Sequence, residues 1–237
     1  METLRSSIYY LEAICLLFAF ITYKSYSRTP NVYILILLIL TFLIETIGFF
    51  NYNYPNNYFI ENLKSLVGSK LIDENLWLYN LGMVFTFVIY IIYYYKLLKS
   101  LKSKFFLKII FIIYIIVCII DIIQNFEFIT AQYFNYVRIF GALLLLICSV
   151  LYLNEVFKSN RVLYFYKTLP FWVTIGALIF YLTTIPIFIF ASQLKFSHKI
   201  YVIILVLSNY ALYGSMILGF IINAYHERKK IKFAGKN

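Results

Sequence analysis

The stretch VYILILLILTFLIETIGFF, residues 32–50, holds a single carboxylate, Glu45, in an otherwise apolar run. Coiled as a helix at about 1.5 Å per residue, it is long enough to cross a hydrocarbon layer of roughly 30 Å. An ionisable group at the centre of such a helix costs roughly 2.5–3.5 kcal/mol on insertion scales, so Glu45 is expected to face protein or water rather than lipid. It lies five residues from the far end of the run, or about 8 Å along the helix. A membrane helix with an inward-facing acid predicts that other helices bring polar groups to the same depth.

The composition agrees with a membrane setting. The 237 residues are 63% hydrophobic and only 13% charged, with a mean hydropathy of +0.83, whereas a soluble domain carries about 25% charged residues. The reading is an all-α integral membrane protein. The net charge of +11 does not indicate nucleic acid as a partner, because the lysines and arginines fall in short clusters between apolar runs, where a topology signal puts them. Cys15, Cys118 and Cys148 all lie inside apolar runs, which predicts packed thiols rather than bridges or metal ligands.

Seven spans follow in order, at about 7–23, 32–50, 75–95, 105–125, 135–157, 171–191 and 200–224. They form one transmembrane domain over residues 1–237. The first, SIYYLEAICLLFAFITY, is read as a membrane helix rather than a leader, since no small-x-small cleavage site follows and the basic residues Lys24 and Arg28 come after it. The longest loop runs from Asn51 to Glu74; in it Ile60, Leu63, Leu66, Val67 and Leu71 recur at helical spacing, which predicts a short helix on the membrane surface. Pro170 opens the sixth span, where it costs no hydrogen bond, and Pro186 inside that span predicts a kink.

The basic residues set an orientation. The loops after spans one, three and five and the tail hold 2, 4, 3 and 5 Lys/Arg, 14 in all, against 5 in the amino terminus and the other loops. The amino terminus is therefore expected outside and the carboxyl terminus in the cytoplasm. The longest loop and the tail are both too short to make a core, so no soluble domain is expected.

With that orientation, polar groups gather in the outer third of the bilayer. Glu12, Glu45 and Asn80 lie at similar depth in the first three spans, Asp121 and Gln124 near the outer end of the fourth, and Arg138 in the first turn of the fifth. Facing inward, they would line one water-accessible cavity open to the outside, suited to a small polar or cationic ligand or a proton. Thr183, Thr184, Ser208 and Asn209 would line its inner part. The short loop between spans four and five makes Asp121 the expected partner of Arg138, while Glu12 and Glu45 have no obvious cation. The opposing reading is that these side chains sit where polarity is cheapest and snorkel to the headgroups. Glu155 reads as an ion-pair partner for a nearby lysine, and the tyrosines near span ends as interfacial anchors.

No catalytic or cofactor signature appears: HExxH, GxSxG and a glycine-rich phosphate loop are all missing, so neither an enzyme, a metal site nor a cofactor is expected. His198 and His226 fall on opposite sides of the membrane and cannot share a metal.

Span six, TLPFWVTIGALIFYLTTIPIFIF, resembles bacterial seven-span sensor regions that precede histidine kinases or occur alone, with a proline–aromatic start, an FW pair, a small residue and an apolar–tyrosine run. NLWLYNLGMVFTFVIYIIYYYKLLK in span three and VIILVLSNYALYGSMILGFI in span seven are similar to the same group. The resemblance implies a sensor or receptor module in the bacterial cytoplasmic membrane. It would surround itself with lipid and pass a conformational change to a separate cytoplasmic signalling protein such as a histidine kinase. Two other readings stand beside it. One is a small transporter with a three-plus-one-plus-three arrangement like that of SWEET sugar carriers, suggested by a faint echo of LYNLGM in LYGSM; the proline–glutamine motif of those carriers is missing. The other is a structural subunit of a larger membrane complex.

Overall fold

The computed structural model of the chain describes residues 2–190 and 198–234, which are helical and contain no strand among the described residues. The helices are α1 (Glu2–Thr22), α2 (Val32–Asn53), α3 (Tyr58–Val67), α4 (Ser69–Asp73), α5 (Leu76–Leu97), α6 (Leu101–Gln124), α7 (Asn135–Phe157), α8 (Leu169–Phe190) and α9 (His198–Ala234). All but α3 and α4 are long and apolar enough to cross a membrane. The protein is thus an all-α, seven-span membrane protein; six of its spans finish within three residues of the expected carboxyl-terminal limit, while α1 and α6 begin five and four residues earlier than expected. The seventh finishes later. Helix α9 continues to Ala234, because HERKKIKFA contains good helix formers and no glycine or proline before Gly235.

Helix α9 packs on α8 and α1, α1 on α2, α2 on α5, α5 on α7 and α7 on α8, which closes a ring of six helices. Helix α6 stands outside the ring, against α7 and more sparsely α5. Successive spans alternate in direction, so neighbours are antiparallel except at the α1–α9 and α5–α7 seams, where they run the same way. Those seams join the first three spans to the last three.

The inside of the bundle is more polar than its outside. Tyr90, Tyr93, Tyr94, Tyr181 and Tyr213 are buried, whereas Ile109, Ile112, Ile116, Ile119 and Ile123 of α6 are exposed to what would be lipid. Lipid tails offer no hydrophobic drive for helices to associate, so the ring is held by close packing and hydrogen bonds. The Tyr94 hydroxyl joins three helices, lying 3.2 Å from Ser149 Oγ of α7 and donating to Thr174 Oγ1 of α8 at 3.0 Å. Tyr93 donates to Asn31 Oδ1 at 3.2 Å. Tyr93 and Tyr94, at the end of span three, are fully buried rather than interfacial anchors. Helices α8 and α9 approach closely at Gly176, where a Cβ would stand 3.0 Å from the Leu212 carbonyl oxygen. Helix α8 runs through Pro186 as a single segment, although Pro186 has no N–H to offer the Leu182 carbonyl.

The longest loop folds as two short helices. Asn57 caps α3 by accepting from the Phe59 N–H at 2.9 Å. The chain then breaks at Gly68, whose φ of 105° a side chain would disfavour. Ile60 and Ile72 point into the protein while Leu66, Val67 and Leu71 are exposed. Lys64 and Asp73 pair across the break at 2.8 Å. The three cysteines are free and buried.

Candidate functional site

Two acids meet inside the ring. Helix α1 carries Glu12, only 4% exposed, and the neighbouring α2 carries Glu45, half-buried. Each accepts a hydrogen bond from a tyrosine on a third or fourth helix. Tyr213 of α9 donates to Glu12 Oε1, and Tyr79 of α5 donates to Glu45 Oε2 at 3.3 Å. The carboxyl groups are electrostatic neighbours, and both tyrosines feel both acids. Cys15, one turn along α1 and fully buried, is an electrostatic neighbour of Glu12. Glu12 Oε2 is buried with no hydrogen-bond partner among the described residues.

Local sequence explains how the pair is built. Gly48 follows Glu45 by three positions, on the same face of α2. Its missing side chain leaves the space that the Tyr79 hydroxyl fills. Tyr9, one turn nearer the start of α1 than Glu12, stacks on Phe42 and Phe49 of α2 with ring centroids 5.3 and 4.4 Å apart. Tyr9 and Phe49 lie toward the end of the bundle where the chain begins, and Phe42 lies on the other side of Glu45.

The remaining residues expected in the same hollow lie elsewhere and hold the fold together. Asn80 is fully buried. Its amide donates to the carbonyls of Ile129 at 3.0 Å and Gln132 at 2.8 Å, and its Oδ1 accepts from the Phe134 N–H at 3.0 Å. It clamps the α6–α7 loop. Asp121, 1% exposed, accepts from the Val137 N–H at 2.8 Å and from Asn125 Nδ2 at 2.7 Å. It supplies from α6 the cap that α7 lacks in its own sequence. Asp121 does not pair with Arg138, as the loop length had suggested. Both its oxygens already serve N–H groups, and Arg138 donates to Asn135 Oδ1 at 2.7 Å and lies over the Tyr133 ring. Gln124 is exposed. A groove of about 490 Å³ beside α6 and α7 is lined by Asp121, Asn125, Gln132, Tyr133 and Asn135, and neither Glu12 nor Glu45 lines it. The outer polar residues therefore divide between two places instead of sharing one hollow.

Thr183 and Ser208 bond across the α8–α9 seam at 2.7 Å, while Thr184 and Asn209 bond to carbonyls of their own helices. Glu155 is not in an ion pair with a lysine among the described residues; its carboxylate accepts the backbone N–H groups of Lys99 and Ser100 at 2.8 and 3.1 Å, which pins the turn ahead of α6, while α6 itself is capped by the Ser100 side chain. The His198 side chain lies outside the described residues. Its backbone opens α9, and His226 is about 42 Å further along the same helix.

Sequence reasoning found both acids of the pair and missed Tyr79, Tyr213 and Gly48. With 24 tyrosines in the chain, no single one stands out, and only the helix packing selects two.

Fold and composition define a multi-pass helical membrane protein. Comparison of the chain with known protein families, with curated proteins and with solved structures gives no match.

Proposed function

We propose that this protein is a sensor- or receptor-like membrane module in which the Glu12–Glu45 pair is the receptive element and α9 the output. The observation that carries this reading is the continuity of α9. One helix holds Glu12 through Tyr213 at one level and runs 21 residues further to Ala234, about 31 Å away and beyond the end of the span. A change at the acid pair that loosens or tightens the Tyr213 contact acts on a rod whose other end reaches the aqueous phase. In the orientation expected from the basic loops, that end is cytoplasmic, where a separate signalling protein of the histidine-kinase kind would read it. The resemblance of spans three, six and seven to bacterial sensor regions supports the same conclusion.

The test is a distance measurement. Spin labels on Lys96→Cys and Lys229→Cys, both exposed at the ends of α5 and α9, report the position of α9 in lipid nanodiscs. Glu12→Gln and Tyr213→Phe should each change the distance distribution. Identical distributions in wild type and both variants refute the reading.

A carrier is the second reading, and one observation favours it. The fourth span stands outside a ring formed by the first three and last three spans, the arrangement a three-plus-one-plus-three transporter would have. Sealed vesicles decide between them. A carrier moves a solute that Glu45→Gln stops moving, and a sensor moves none.

A further inference from the structure

We infer that Glu12 and Glu45 together bind one proton, taken from the aqueous phase at the end of the bundle where the chain begins. The inference rests on reading the pair as the receptive element and names what it receives.

The groups facing the pair come from four helices: Cys15 on α1, Glu45 opposite Glu12 on α2, Tyr79 on α5 and Tyr213 on α9. None is a cation, and neither acid forms an ion pair among the described residues. Two neighbouring carboxylates with only hydroxyl donors leave a net charge of two inside the ring, which burial strongly disfavours. Tyr213 and Tyr79 each satisfy one oxygen of one acid. Glu12 Oε2 remains: 96% of the side chain's residue is out of solvent, counting from its 4% exposure, and no donor reaches that atom among the described residues. A buried acceptor without a donor is costly. A proton removes the difficulty. One O–H bond forms on a carboxyl oxygen and the charge of the pair falls by one.

The surroundings suit a slow, controlled exchange. The Tyr9–Phe49 stack lies between the pair and the end of the bundle. Within this layer the Thr46 hydroxyl meets the Tyr9 hydroxyl at 3.5 Å, a polar step through an otherwise aromatic cover. When the proton leaves, two like charges face each other across the α1–α2 seam. Their repulsion acts on the same Glu12 that Tyr213 ties to α9.

Infrared difference spectroscopy on the full chain in lipid nanodiscs tests this. Wild type should show the C=O stretch of a protonated carboxyl that fades as pH rises and that shifts when the protein carries carboxyl-13C glutamate, separating it from aspartate. Glu12→Gln and Glu45→Gln should each move the midpoint of that titration by about 1 pH unit, because each acid feels the other's charge. The isotope shift in wild type keeps the test decisive if either variant fails to fold. Absence of a glutamate band at every pH overturns the proposal, as does a midpoint unchanged in both folded variants. A band that sodium, but not potassium, abolishes at constant pH overturns the proton as occupant in favour of a metal cation. A band that titrates while the Lys96→Cys and Lys229→Cys label distances stay fixed leaves the proton site standing and sinks the sensor reading instead.

Discussion

Asn80→Ala is the substitution that best separates a structural clamp from a ligand-binding residue. Asn80 makes three hydrogen bonds to the backbone of the α6–α7 loop, and all three disappear with the amide. The Phe134 N–H, on a residue only 1% exposed, is left buried without its acceptor, at a cost of about 1–3 kcal/mol. The carbonyls of Ile129 and Gln132 each lose a bond worth about 0.5–1.5 kcal/mol. The sum centres on about 4 kcal/mol, roughly a thousandfold in the unfolding equilibrium. Unfolding in mixed detergent micelles, titrated with a denaturing detergent, measures the loss directly. Asn80→Asp is the sharper control: it keeps the acceptor for Phe134 but sets a carboxylate against two carbonyl oxygens, so it should be no more stable than Asn80→Ala. A loss below about 1 kcal/mol for Asn80→Ala would refute the clamp.

Asp121→Ala should lower stability by about 1–2 kcal/mol in the same titration, because the start of α7 loses a charged cap; Asp121→Asn, which keeps one acceptor, should lose less. Glu155→Ala removes the acceptor of the Lys99 and Ser100 N–H groups and should cost about 0.5–1.5 kcal/mol, and neither Asp121→Asn nor Glu155→Ala should alter the glutamate infrared band. Tyr94→Phe removes the hydroxyl shared by Ser149 and Thr174 and should cost about 0.6–1.7 kcal/mol, the range for polar contacts between membrane helices. Gly176→Ala forces a methyl against the backbone of α9 and should cost about 1–3 kcal/mol. Gly214→Ala on α9 itself meets nothing within 4 Å and should be neutral or stabilising by up to about 1 kcal/mol; equal thermal shifts for the two glycine variants would contradict the helix packing described here.

The acids illustrate what could be seen in advance. Glu12, Glu45 and Asp121 were conspicuous because each interrupts an apolar run, and a charge inside a membrane helix needs a reason. Their reasons proved different. Asp121 answers an unpaired N–H in the first turn of the next helix, that of Val137, whereas Glu12 and Glu45 have each other and two tyrosine hydroxyls. Nothing in the neighbouring residues of Asp121 marks it as a cap, since the helix it serves is not its own. Glu155 follows the same logic: Lys158 is its neighbour in the sequence, but the N–H groups of Lys99 and Ser100, from another part of the chain, take its oxygens.

By itself the sequence determined the number of spans, because crossing the hydrocarbon takes about 20 apolar residues whatever they pack against. Which side of each helix faces its neighbours was decided only in three dimensions. These helices are apolar nearly all the way round, so periodicity carries little information about rotation. Close packing supplies the missing angle: Phe87 occupies the space beside Gly141, and Leu212 backs against Gly176. On α2 the Tyr79 hydroxyl fills the space beside Gly48 and bonds to Glu45, while Gln124 is left on the outside.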